Sequence, residues 1–91
     1  MRLTTEVDIL ARVIDPANPT LTADAAKAIL QLDYTDADRE RAAALAQKSN
    51  EGTLSTEERR ELEGFVFVGD ILAILKSKAR LSLRSRTSPA A

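Results

Sequence analysis

The chain has neither cysteine nor histidine among its 91 residues. Without cysteine there is no disulfide framework, no thiolate metal site and no thiol nucleophile. Without histidine the commonest general base, the commonest metal ligand and the usual base of a serine triad are gone. Catalysis would have to rest on carboxylates, Lys, Arg, Ser, Thr or Tyr34, and those groups need burial or pairing to be tuned. The residues therefore read as a non-enzyme with no catalytic residue, cofactor or metal. Long apolar runs are missing too. The longest, Phe65 to Leu75, is interrupted by Asp70. A helix that short falls well below the roughly 20 residues a bilayer needs. Glu6 stands where a signal peptide would have its apolar core. The expectation is a soluble, cytoplasmic protein of one domain, without a membrane partner.

Charge is nearly balanced, at a net −1, but unevenly placed. Residues 1–75 hold all fourteen acids and eight bases, a net −6. Residues 76–91 hold Lys76, Lys78, Arg80, Arg84 and Arg86 and no acid, a net +5. That asymmetry says more about partners than the total does.

Helix signals run the length of the chain. Leu3, Val7, Leu10 and Ile14 form one helical stripe, capped by Thr4 or Thr5 and ended by Asp15-Pro16. Thr22 is the N-cap of an alanine-rich second helix with its body at Ala25 to Leu32. Thr35 and Asp38 have capping-box spacing before a third helix, Asp36 to about Ser49, whose weak apolar stripe is Ala37, Ala44 and Leu45. Asn50 or Gly52 stops it. Ser55 with Glu58 is the clearest capping box, and Leu54 precedes it as a staple. From there no proline intervenes until Pro89, so a helix is expected to about Leu83. Phe65-Val66-Phe67-Val68 is β-prone in isolation, yet a lone strand would have nothing to pair with. The fold class is all-α: three short helices on one long C-terminal helix, a small helical bundle over residues 1–84, with a disordered basic tail over 85–91.

At 100° per residue the long helix carries two apolar stripes. Leu62, Phe65, Val68, Leu72, Leu75, Ala79 and Leu83 form the face expected to pack on the other helices, and Gly69 there permits close approach of a neighbouring backbone. Phe67, Ile71, Ile74 and Leu81, with Lys78 among them, lie roughly opposite. A helix apolar nearly all round is normally buried. Either Ile9 and Val13 of the first helix cover this second stripe, or it is an interface with a partner or a second copy. From Thr56 to Leu83 the helix measures about 42 Å, against roughly 30 Å for a compact chain of this size. One or two basic turns are expected to project.

The candidate interface is thus Phe67, Ile71, Ile74, Lys78 and Leu81. The candidate basic docking segment is Lys76, Lys78, Arg80, Arg84 and Arg86. Cations there also complement the helix dipole. Nucleic acid is the minor alternative, because no aromatic residue lies among the bases to stack on. Asp33, Asp36 and Asp38 resemble a calcium loop only superficially. An EF-hand loop requires a Gly at its sixth position and a Glu at its twelfth, which this segment lacks, so it reads as a helix start. Glu57, Glu58, Glu61 and Glu63 read as dipole complements.

Ile14-Asp15-Pro16, Pro19-Thr20-Leu21-Thr22, Asp38-Arg39-Glu40-Arg41, Gly52 to Glu58, Val68-Gly69 and Ser77 to Leu83 occur in this order. The series resembles a group of small bacterial proteins of unassigned function, over about residues 8–84. Its Ser-Lys-Ala-Arg segment is the most distinctive part. The resemblance implies partnership with an HNH-type nuclease, and so an antitoxin-like or accessory role. A nucleic-acid-associated protein and a structural homodimer stand as alternatives.

Overall fold

Four hydroxyl side chains mark where the helices begin. Thr5, Thr22, Thr35 and Ser55 each accept the backbone N–H three residues on, at 3.0 to 3.3 Å. The computed structural model describes residues 5–87, and of residues 86 and 87 the backbone alone. It contains α1 (Glu6–Ile14), α2 (Ala23–Leu30), α3 (Asp36–Glu51) and α4 (Thr56–Thr87). The fold is all-α, with three short helices contacting one long C-terminal helix. Leu3 and residues 88–91 of the expected tail lie outside the described residues, whereas residues 85–87 continue α4. Two boxes close in full, Thr5 with Asp8 and Ser55 with Glu58.

The sequence predicts one domain over 1–84. Contacts gather the chain into two compact units, Met1–Leu32 with Asp70–Ala91, and Asp33–Gly69. Helix α4 contributes its first part to the second unit and its last part to the first.

The Asp33–Gly69 unit is a helical hairpin of α3 and the start of α4. Gly52 closes α3 in the left-handed conformation at φ 72°, with its N–H and that of Thr53 returned to Ser49 and Lys48 carbonyls. Leu45 is fully buried, whereas Ala37 and Ala44 are exposed. On α4 the sheltered positions are Glu58, Leu62, Phe65 and Gly69, at spacings of four, three and four, a narrow stripe. Val68, assigned by the wheel to the packed face, is exposed because it is turned about 100° from Gly69.

Gly69 does permit a close approach, though by a side chain rather than a backbone. A Cβ built there would lie 2.7 Å from the Tyr34 hydroxyl. That hydroxyl donates to the Phe65 carbonyl at 2.7 Å, and the two rings meet edge-on at 6.0 Å. Gly64, by contrast, faces open space. Gly64→Ala is therefore expected to stabilise by about 0.5–1 kcal/mol through helix propensity alone. Gly69→Ala has the same propensity gain but displaces Tyr34, losing a hydrogen bond of about 1 kcal/mol and a ring contact of about 0.5–1.5 kcal/mol. Urea unfolding of the two variants is expected to move in opposite directions, Gly64→Ala upward and Gly69→Ala downward.

In the other unit, α1 ends at Asp15, which takes the left-handed conformation at φ 52° and returns its N–H to Ala11. The Asn18 N–H, which would reach Ile14 in a continued helix, bonds Asp15 instead. The Ile14 carbonyl is served by Lys78 Nζ from α4. One turn further along α4, the fully buried Ser82 accepts the Leu21 N–H at 3.2 Å, just ahead of the α2 cap. Lys78 and Ser82 thus pin both ends of the α1–α2 connection. Ala26 and Ala79 are also fully buried in this unit, their small side chains letting helices approach closely. The expected projection of the last α4 turns is not what occurs. Leu81 and Leu83 are half-buried and Ser82 is sealed, because the α1–α2 connection lies along these turns.

Candidate interaction surfaces

The first candidate is the apolar stripe of α4. Phe67, in the hairpin unit, is 41% exposed, and its neighbours Val66 and Val68 are 56% and 44% exposed. The narrow cover over this part of α4 leaves all three outside. Ile71, Ile74, Lys78 and Leu81 belong to the other unit and are half-buried there. The five residues named from the sequence therefore do not share one environment. Phe67 is a surface residue, while Lys78 is engaged with the end of α1. Ile9 and Val13 of α1 are themselves 48% and 75% exposed. They form a second exposed apolar pair and are not sealed as a cover over α4 would be. Its signal was legible, because Ile9 and Val13 sit one turn apart and off the Val7, Leu10, Ile14 stripe.

The second candidate is the basic end. Arg80 and Arg84 are exposed, one turn apart on α4, and Lys76 is half-buried. The Arg86 side chain lies outside the described residues.

Of the four α4 glutamates named from the sequence, Glu58 and Glu61 are paired with bases, and Glu57 and Glu63 are exposed. Glu58 accepts Lys48 Nζ at 2.6 Å and the Ser55 N–H at 3.0 Å, with Arg41 Nη2 at 4.0 Å. Arg41 makes a paired contact with Glu61 at 2.8 and 2.9 Å. The Lys48 hydrogen bond, then the Ser55 N–H, hold the Glu58 carboxyl down at about 2, against 4.5 when free. The Arg41 hydrogen bond lowers Glu61 and raises Arg41. Both carboxylates bind protons more weakly when folded, so their stabilisation is complete above pH 4.5 and fades as pH falls. For Glu58 the loss runs from pH 4.5 through about 2. Glu58→Gln is expected to flatten the decline of the urea midpoint over that window, read against the wild-type pH series.

Asp33 receives the Tyr34 N–H and pairs with Arg39 at 2.7 Å, while Thr35 caps α3, so this segment starts a helix. Among the described residues, no group of three or more His, Cys, Asp or Glu is placed to hold a metal ion. No described helix is long and apolar enough to cross a membrane. Comparison of the chain with family models finds no match, and comparison with curated proteins and with solved structures finds none either.

Proposed function

We propose that the chain is a non-enzymatic protein-interaction module that binds through α4. The observation carrying this reading is the run Val66-Phe67-Val68, three consecutive large apolar side chains left exposed on a long helix. Phe67, with an exposed valine about 100° to either side of it, offers apolar surface of a kind that monomers rarely leave uncovered. Phe67 supplies the apolar anchor, flanked by Val66 and Val68. Arg80 and Arg84 set orientation and association rate through charge. The chemistry of the chain favours binding over catalysis, since it has no histidine or cysteine.

The resemblance in residues 8–84 to small bacterial proteins refines this reading. It implies an antitoxin-like or accessory partner of an HNH-type nuclease. Co-purification of such a nuclease with the wild-type chain, lost in Phe67→Asp and accompanied by altered DNA cleavage, is the expected result. Equal retention by both forms would contradict it.

A second reading is weak binding of nucleic acid, favoured by the exposed pair Arg80 and Arg84 beside Lys76. It requires affinity that falls steeply with salt. Arg80→Glu with Arg84→Glu should then abolish retention on double-stranded DNA at low salt. A wild-type chain that fails to bind DNA at low salt excludes this reading.

A further inference from the structure

Within the Asp33–Gly69 unit, α4 turns one face to α3 and leaves the opposite face bare. The face toward α3 carries Glu58, Leu62, Phe65 and Gly69. Thr56, Arg60, Glu63 and Phe67 stand on the other side of the helix, all exposed, within a sector of about 60°. Their spacings of four, three and four make one seam of the kind by which helices pair. Among the described residues, neither Arg60 nor Glu63 enters an ion pair. The whole seam lies in this one unit.

We propose that a second copy of this chain covers the seam, with the two α4 helices antiparallel and related by a two-fold axis level with Glu61 and Leu62. This inference rests on the reading of Phe67 as an interface residue and names what covers it. Charge selects the direction and the register. Arg60 of each copy meets Glu63 of the other, and Phe67 of each meets Thr56 and the aliphatic stem of Arg60. Two-fold symmetry makes each of these contacts twice. A parallel pair would set Arg60 on Arg60 and Glu63 on Glu63, which repulsion disfavours. The other acids of the unit do not oppose the contact. Glu57 and Arg59 flank the seam and offset each other. Glu58 and Glu61 are held by Lys48 and Arg41, and Asp33 by Arg39. Asp36, Asp38, Glu40 and Glu51 belong to α3, across the helix from the seam.

Light scattering on size exclusion, over a hundredfold range of protein concentration up to millimolar, reads the outcome. The contact is short, so the wild type is expected to be monomeric when dilute and to dimerise toward the top of the range. Arg60→Glu and Glu63→Arg each set like charges together at both contacts. Each alone is expected to dimerise about tenfold more weakly or worse, with unchanged far-UV circular dichroism. Their mixture restores both attractions and is expected to regain dimer. Arg60→Glu and Glu63→Arg combined in one chain also restore both, without changing the net charge. That double variant is expected to match the wild type, which separates specific pairing from general attraction between oppositely charged variants.

Single variants that dimerise as the wild type does overturn the proposal, and so does a double variant no better than Arg60→Glu alone. A wild type that stays monomeric throughout overturns self-association. In that case, loss of a nuclease partner by Phe67→Asp would leave the interaction reading standing, while unchanged retention would remove both.

Discussion

Leu45→Ala is expected to destabilise the protein by about 2–5 kcal/mol, the range for emptying a sealed leucine site. Leu45 is the largest fully buried side chain in the described residues. It stands at the centre of the α3–α4 hairpin, where Ala42 and Lys48 are only half-buried on its own helix and Glu58, Leu62 and Phe65 only half-buried opposite. Little other apolar bulk is sealed there to share the loss. A chain of this length has a total stability of roughly 5–14 kcal/mol, so the change takes a large fraction of it. At about 4–8 °C per kcal/mol for a domain of this size, thermal unfolding followed by circular dichroism should fall by some 10 °C or more. Ala44→Gly next door, at an exposed helical position, should cost only about 1 kcal/mol. Similar losses for the two would show that Leu45 is not the hairpin's core.

Ser82→Val carries the second large effect, and its sign runs against hydropathy. Replacing a serine by an apolar residue in the middle of a helix bundle looks favourable on transfer alone. Ser82 is fully buried, however, and its Oγ accepts the Leu21 N–H at 3.2 Å. The larger side chain would overpack a closed site, at about 1–3 kcal/mol. Loss of the hydrogen bond adds about 1 kcal/mol. Ser82→Ala removes only the hydrogen bond, so it should cost about 1 kcal/mol. The gap between Val and Ala therefore separates packing from hydrogen bonding in urea denaturation. Equal midpoints for the two would mean that the site is open enough to accept the larger side chain.

Local signals in this sequence read well because they are local. Thr22, Thr35 and Ser55 cap their helices through contacts three residues away, which spacing alone reveals. The length of α4 followed from the lack of proline, though it runs to Thr87 and not Leu83, since the Ser/Arg segment has no residue that stops a helix. Helix α2 begins at Ala23 and ends at Leu30, two residues short of the expected Leu32, where the Gln31 and Leu32 N–H groups turn back onto Ala28 and Ile29 in a tightened last turn.

The long-range bonds left no such trace. Tyr34 and Phe65 are 31 positions apart, Leu21 and Ser82 are 61, and Lys78 and Ile14 are 64. Lys78 looked like a docking cation because its charge is visible in the sequence, while the orphaned carbonyl it serves is not. The helical wheel identified Phe67 as opposite the packed face, and its exposure agrees. It also placed Val68 on the packed face, which fails because α3 shelters a stripe only one residue wide on α4.

The claim that the exposed α4 patch serves association and not folding has one direct measurement. This is the dependence of the urea unfolding midpoint on protein concentration, for the wild type and for Phe67→Asp. An associating protein gains stability by mass action. The wild-type midpoint is expected to rise with concentration. That of Phe67→Asp is expected to stay flat, at the value the wild type reaches when dilute. A wild-type midpoint that does not change with concentration, together with a Phe67→Asp midpoint far below it, would place Phe67 in the core and contradict the account.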